Sequence, residues 1–248
     1  MPKISIEHLN FSYRKRKNQV VVFEDFNTVF SSNKINVILG ESGCGKTTLL
    51  KCICGLNDYD GIIKFDSIDC STLLVRERNI GYLNQNFAMY PHMTLFDSIA
   101  YPLKMSGVGI KEIRERVYNI ASQFDIADLL SRKPKQISIG QLQRACLARA
   151  LIKNPSICLF DEPLSNLDMA NRTSFRHYLR RFLSTHITTV VYVTHNLEEA
   201  TSLADNIYVM KDGKIVFEGT PLDLINSNDP YIKEILSTIV KNNKEEAL

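Results

Sequence analysis

Short apolar runs separated by polar segments open the chain. Ile4 to Leu9, Val20 to Phe23, Phe26 to Phe30 and Ile35 to Leu39 are rich in β-branched and aromatic residues. This pattern predicts hairpin strands leading into a buried strand, because such side chains suit a pleated, half-covered surface. The last run, Ile35-Asn-Val-Ile-Leu39, leads straight into a glycine-rich loop. Beyond it, Lys46 to Cys54 carries Leu49, Leu50 and Ile53 at helical spacing and stops at Gly55, which predicts a helix with a glycine C-cap.

From about Phe87 to Lys153 the period becomes helical, with segments at Leu95 to Met105, Lys111 to Phe124 and Gly140 to Lys153, and a short turn near Leu130. Strand-like runs return at Ile157 to Phe160, Thr189 to Val193, Ile207 to Met210 and Lys214 to Phe217, with helical segments between the first three. Strands alternating with helices predict a mostly parallel sheet covered on both faces. The helical stretch then reads as a subdomain, about 87–153, inserted in an α/β core. An amphipathic helix from Pro230 precedes the polar end NNKEEAL, which gives one domain over 1–240 and a tail over 241–248.

The 248 residues exceed the roughly 150 expected of one domain, which suits a core with an insertion. With 44% hydrophobic and 23% charged residues, the composition is that of a globular protein and excludes a disordered or collagenous chain. No stretch approaches the 18 consecutive apolar residues of a membrane span, and the opening residues lack the pattern of a secretory signal, so a soluble cytosolic chain is expected. The net charge of +3 is too small for a general nucleic-acid binder. Cysteines at 44, 52, 54, 70, 146 and 158 show neither paired spacing nor neighbouring histidines, which points to reduced thiols rather than a zinc site or a disulfide framework.

The candidate chemistry starts at the glycine-rich loop. Gly40-Glu41-Ser42-Gly43-Cys44-Gly45-Lys46-Thr47-Thr48 matches G-x-x-x-x-G-K-[ST] between a buried strand and a helix, where a phosphate-binding loop belongs. Glycines let backbone N–H groups wrap a phosphate, the helix start adds a positive dipole end, Lys46 adds a point charge and Thr47 can ligate Mg²⁺. Cys44 reads as a tolerated small residue, since phosphoryl transfer here needs no covalent intermediate. Such a loop alone leaves kinases, GTPases and many ATPases open. Ile157-Cys-Leu-Phe160 followed by Asp161 and Glu162 narrows the choice. Asp161, ending a central strand, can hold the Mg²⁺ shell, and Glu162 can orient or deprotonate a water attacking the γ-phosphate. His195 follows another buried run and is placed at the same sheet edge, as a γ-phosphate contact.

These residues resemble the nucleotide-binding subunit of ATP-binding-cassette (ABC) transporters, over about residues 4 to 225. The resemblance implies the α/β P-loop NTPase fold of ABC type, with an N-terminal antiparallel β-subdomain and an inserted helical subdomain. It makes Tyr13 the aromatic that stacks on adenine, and Gln85 the glutamine that contacts Mg²⁺ and water and senses the membrane partner. Ile137-Ser138-Ile139-Gly140-Gln141 is similar to the family's LSGGQ segment, Ser165-Asn166-Leu167-Asp168 to its D-loop, and His195 to its switch histidine. The implied assembly is a head-to-tail dimer with a second ABC subunit and two ATP molecules, each between one phosphate loop and the other chain's LSGGQ-like segment.

Asn79 to Thr94 is similar to the stretch found in importers of sugars and related solutes such as polyamines, and Arg132 to Gln136 leans the same way. That branch implies two transmembrane permease subunits docking near Phe87 to Met93, a solute-binding protein acting indirectly, and a place at the cytoplasmic face of the membrane. The regulatory β-domain common in the branch would begin near where this sequence stops. Arg14-Lys-Arg-Lys17 reads as a hairpin tip, solvated or touching phosphates or lipid headgroups. Two rivals stand beside transport: a soluble cassette ATPase acting on ribosomes or DNA, and a binding module without turnover. The first usually carries two cassettes or long coiled-coil insertions, absent here; Glu162 and His195 speak against the second.

Ile139 departs from the family pattern, standing where the LSGGQ segment has its first glycine. A β-branched side chain resists positive φ and adds bulk at the implied interface. Ile139→Gly is therefore expected to close more readily with ATP and to hydrolyse it faster. A steady-state ATPase comparison with the parent chain checks this, and a slower glycine variant contradicts it.

Overall fold

A computed structural model describes the chain outside residues 16–17, 165–171, 174–175, 177, 181, 184–187 and 246–248, with the backbone alone described at 15, 18 and 238–245. Two sheets share the framework. The first is antiparallel, in the order β2-β1-β4-β5, built from β1 (Ile4–Lys15), β2 (Asn18–Phe30), β4 (Asp60–Phe65) and β5 (Ile68–Asp69). The two runs expected at 20–23 and 26–30 form one strand. The irregularity between them is absorbed where Asp25 and His8 each take a positive φ and their side chains meet, Nδ1 to Oδ1, at 2.6 Å. The basic hairpin tip lies between β1 and β2, and its Arg16 and Lys17 fall outside the described residues.

The second sheet has six strands in the order β10-β9-β3-β8-β7-β6: β3 (Ile35–Leu39), β6 (Ile80–Leu83), β7 (Ile157–Asp161), β8 (Thr189–Thr194), β9 (Asn206–Lys211) and β10 (Lys214–Gly219). Every pairing is parallel except that of the edge strand β10 with β9. Sequence reading missed β4, β5 and β6. In β4 the alternation of Ile63 and Phe65 inward with Lys64 outward is a readable signal, whereas β6 is four residues long and contains Gly81.

Side chains on the two faces of this sheet enter two different cores, as period-two alternation demands. Ile38, Leu159, Val191 and Val193 pack with α1 (Lys46–Cys54) and with Ile4, Ile6, Phe23 and Phe65 of the antiparallel sheet. Helix α1 is thus enclosed by two sheets. It ends at Gly55 in a left-handed conformation, as expected, and the buried Arg78 guanidinium donates to the carbonyls of Ile53 and Cys70 at 2.9 and 3.0 Å.

Val37, Phe160, Val190 and Tyr192 face the other way, into the core that holds the helical stretch. Its helices are α2 (Leu95–Met105), α3 (Ile110–Gln123) and α4 (Ile139–Leu151), with a 3₁₀ turn at Ala127–Leu129. Leu95, Ile99, Val117, Phe124 and Leu147 belong to the same apolar cluster as the sheet, so the insertion has no separate core. Burial of each large side chain contributes roughly 1.5–3 kcal/mol, which anchors the helices to the sheet. Helix α4 begins one residue before the expected Gly140. Ser138 is its N-cap, with Oγ accepting from the Gln141 N–H at 3.2 Å while the Gln141 side chain accepts from the Ser138 N–H at 3.0 Å. Ile139 is consequently an ordinary first helical residue, and only its bulk, 64% exposed, departs from glycine. Helices α5 (Leu197–Leu203), α6 (Pro221–Ile225) and α7 (Pro230–Glu245) add Leu197, Leu224 and Ile232 to the same cluster.

The turn from β9 to β10 has Asp212 and Gly213 at φ 46° and 73°, the two successive positive values of a tight hairpin turn. A Cβ on Gly213 would stand 2.0 Å from the Val22 carbonyl oxygen, and the Gly213 N–H donates to the Cys44 carbonyl at 3.1 Å. Gly213→Ala is expected to cost about 2 kcal/mol, a fall in Tm of roughly 4–8 °C for a chain of this size. Thermal unfolding followed by circular dichroism measures it; an unchanged Tm would show that the hairpin yields freely.

Candidate functional site

Parallel register brings four strand ends to one edge. Leu39 of β3 pairs with Thr194 of β8, Val193 with Asp161 of β7, and Phe160 with Leu83 of β6. The residues after those ends are therefore neighbours: the loop from Gly40, His195, Glu162 and the segment carrying Gln85. This is the edge where open α/β sheets bind ligands.

The loop has the geometry of a cradle for an anion. Gly43 and Gly45 take φ of 88° and 112°, and a Cβ on Gly40 would lie 2.4 Å from the Met210 carbonyl oxygen, so bare backbone is required. The Gly40 N–H donates to the Thr194 carbonyl at 3.3 Å. Lys46, 4% exposed, donates to the Gly40 and Glu41 carbonyls at 2.7 and 2.8 Å. A buried ammonium held by two carbonyls, with the Glu162 carboxylate at 3.8 Å, suits exchange for a more strongly charged acceptor such as a phosphate. Cys44 sits in the loop with its thiol pushed above the usual range by burial, which makes it a poor nucleophile. Tyr13, on β1, is partly exposed; its hydroxyl lies 3.1 Å from Thr48 Oγ1 and its ring meets Phe11 edge-on at 4.9 Å. An exposed aromatic face beside the phosphate loop can receive a base.

The acids occupy the far side. Thr47 Oγ1 donates to Asp161 Oδ1 at 2.8 Å, and Tyr82 donates to Asp161 Oδ2 at 3.2 Å. Burial raises the Asp161 carboxyl above its ordinary range, opposed by these two donors. The paired hydroxyl and carboxylate are hard oxygen donors that fit Mg²⁺, whose remaining ligands would be water and substrate phosphate oxygens. Among the described residues no group of three or more His, Cys, Asp or Glu could hold a metal ion.

Glu162 takes φ of 45°, a left-handed conformation uncommon for glutamate. Its carboxylate lies 3.1 Å from His195 Nδ1, 3.5 Å from Gln85 Nε2 and 3.8 Å from Lys46 Nζ. Gln85 thus stands beside Glu162, while its expected metal partner Asp161 is held by Thr47 and Tyr82. Behind His195, the buried Glu199 accepts from the Tyr192 and Thr194 hydroxyls at 3.0 and 2.8 Å, and desolvation raises its carboxyl. Asn196 closes the turn, its N–H donating to Thr194 Oγ1 and its side chain accepting from the Glu199 N–H.

Ser138, Gly140 and Gln141 open α4, and the hydrogen bonds of Ser138 and Gln141 are local to that helix start. Ser165, Asn166, Leu167 and Asp168 lie outside the described residues. Within the expected docking stretch, Phe87 is a correction: it is 6% exposed and packed in the core, its carbonyl accepting from the Cys146 thiol. Pro91 and His92 are exposed there, and Tyr90 stacks near Tyr101 with the Arg149 guanidinium 5.6 Å from its ring centre. Sequence reading missed Tyr82 and Glu199. Tyr82 belongs to a strand too short to recognise, and Glu199 reads as one more acid in a helical first turn.

Known proteins agree with this geometry. The family model described as ABC transporter matches residues 23–165. The sn-glycerol-3-phosphate import ATP-binding protein UgpC of Cupriavidus pinatubonensis is 40% identical over 90% of this chain and 60% of its own length. The ABC transporter ATP-binding protein YurJ of Bacillus subtilis is 37% identical over 90% of this chain and 60% of its own length. The chain therefore spans about three fifths of these relatives. Among solved structures, the ATP-binding cassette MJ0796, a dimer in a post-hydrolysis state bound to ADP and Pi, superposes with a TM-score of 0.79 at 27% identity, covering 88% of this chain and 98% of that one. A family model matched over more than half the chain, on a fold whose phosphate loop, acids and histidine meet at one sheet edge, makes this chain a member of the ABC transporter family.

Proposed function

We propose that the chain is the ATP-binding and ATP-hydrolysing subunit of an ABC transporter that powers solute import through partner permeases. The observation that carries this is the meeting of Glu162 with His195, Gln85 and Lys46 at the edge where Thr47 and Asp161 also meet. In this reading Gly40 to Thr48 hold the phosphates, Tyr13 stacks on adenine, and Thr47, Asp161 and Gln85 hold Mg²⁺. That ion, when bound with ATP, supplies charge neutralisation at the phosphates. Lys46 exchanges its loop carbonyls for phosphate oxygens, which relieves its ion pair with Glu162 and frees that carboxylate to orient and deprotonate the attacking water. His195 stabilises the charge that develops on the γ-phosphate.

Ser138, Gly140, Gln141 and Asp168 complete the site of a second ABC subunit in a head-to-tail dimer. For Ser138 and Gln141, hydrogen bonds local to the start of α4 support that arrangement. Import rather than export rests on relatives named as import ATP-binding proteins; in this reading a permease docks at the cytoplasmic face of the membrane, beside the exposed Pro91 and His92 of the Phe87 to Met93 stretch. No helix among the described residues is long and apolar enough to cross a membrane, so the channel belongs to partners in this reading. Residues 1–240 act as one domain with 87–153 as its inserted arm. The rival, an ATPase acting on ribosomes or DNA, predicts no co-purification with membranes.

Glu162→Gln is expected to keep ATP affinity, accumulate as an ATP-bound dimer on size exclusion and lose 10²-fold or more in turnover, the order seen for removal of general-base catalysis. Retained steady-state hydrolysis would remove Glu162 from this role. Lys46→Ala is expected to lose nucleotide affinity itself, by roughly tenfold or more for a charge-assisted contact. Equilibrium binding of a fluorescent ATP analogue reads that loss, and unchanged affinity would contradict it.

A further inference from the structure

The carboxylate of Asp161 is 3% exposed and has two hydrogen-bond donors, one for each oxygen: Thr47 Oγ1 at 2.8 Å on Oδ1 and Tyr82 Oη at 3.2 Å on Oδ2. The torsion that turns a carboxylate about its own axis is soft, so the plane of the group is set by its donors rather than by its rotamer. Thr47 alone would fix one oxygen and leave that plane free. Tyr82 supplies the second point. Its ring is fixed in turn, because β6 pairs in parallel register with β7, Tyr82 opposite Leu159, and the ring packs on the core beneath the phosphate-loop helix.

The tyrosine hydroxyl faces a carboxylate oxygen, which can only accept, so the hydroxyl is the donor. Lys51 of α1 adds a favourable charge to Asp161 from another direction without hydrogen-bonding it. The same strand leads into Gln85, whose amide reaches Glu162. One short strand and the loop that follows it therefore touch both acids of the site.

We propose that Tyr82 is a positioning residue for Asp161, holding the plane of its carboxylate so that Oδ1 and the Thr47 hydroxyl together meet hydrated Mg²⁺ when it arrives with ATP. This rests on the reading of the chain as an ATP-binding subunit. A hydrogen-bond partner behind a metal-binding carboxylate acts on affinity for the metal and leaves nucleotide contacts made without the metal untouched.

The test is a Mg²⁺ titration of the affinity of the full chain for mant-ATP, with the same affinity measured in EDTA. Wild type is compared with Tyr82→Phe, which keeps the ring and removes the donor, and with Tyr82→Met, which removes both. The expected result is a Mg²⁺ midpoint raised roughly tenfold in Tyr82→Phe, an equal rise in Tyr82→Met, and EDTA affinities within about twofold of wild type. An unchanged midpoint in Tyr82→Phe overturns the proposal. So does a loss of affinity that is as large in EDTA as in Mg²⁺, since that is the mark of a merely structural role. Wild-type protein that binds no mant-ATP in either condition overturns the ATP-binding reading itself, and the role of Tyr82 with it.

Discussion

Parallel pairing of β3, β8, β7 and β6 is the constraint on which the rest depends. Hydrogen-bond register aligns Leu39, Thr194, Asp161 and Leu83 at one edge, and each motif of the site is the residue or loop that follows one of those strands. Strand ends in a parallel sheet all point the same way, and the return crossovers leave that edge open. The central strands are buried on both faces, so a slip of one residue in any of them would exchange the side chains that enter the two clusters and disrupt the packing of both. Packing of the core thereby fixes the relative position of Thr47, Asp161, Glu162 and His195.

The site stores unfavourable terms that this packing sustains. Lys46 and Asp161 are almost fully buried, Asp161 has a raised carboxyl, and Glu162 sits in a left-handed conformation. Isolated buried charges are costly, and here each is answered locally: Lys46 by two carbonyls, Asp161 by two hydroxyls, Glu162 by His195 and Gln85. These are weak substitutes for a polyphosphate with its cation. A fold arranged this way leaves its strongest available interaction to the ligand, which suits a subunit proposed to change state when ATP arrives.

The helical stretch fits the same logic from the outside. It shares the core of the sheet, and Ser138 caps α4, its Oγ accepting from the Gln141 N–H. Arg144 of α4 joins the end of α3 to the segment after β7, donating to the carbonyls of Phe124 and Asp125 and lying over the Tyr178 ring. In the proposed dimer this shared packing would couple closure at the nucleotide to the surface proposed to receive a permease.

Local chemistry made much of this legible before any coordinates. Eight residues of the phosphate loop, the acid pair after four apolar residues and the histidine after a β-rich run each announce a strand end, because glycines, charges and apolar runs are local necessities. Two strands were harder: in β2 of the hairpin layer Asp25 interrupts a pattern that pairing with β1 restores, and β6 at the edge of the parallel sheet is too short to carry a period. Phe87 read as a surface aromatic and proved to be core, since only the neighbours that α2 and α4 supply decide whether an aromatic is covered. Sequence alone thus determined which residue types stand ready for phosphate chemistry. The tertiary structure alone decided which of them meet: Tyr82 with Asp161, and Gln85 with Glu162. Those pairings join residues on or just after separate strands and depend on sheet order and register, which no local run of residues encodes.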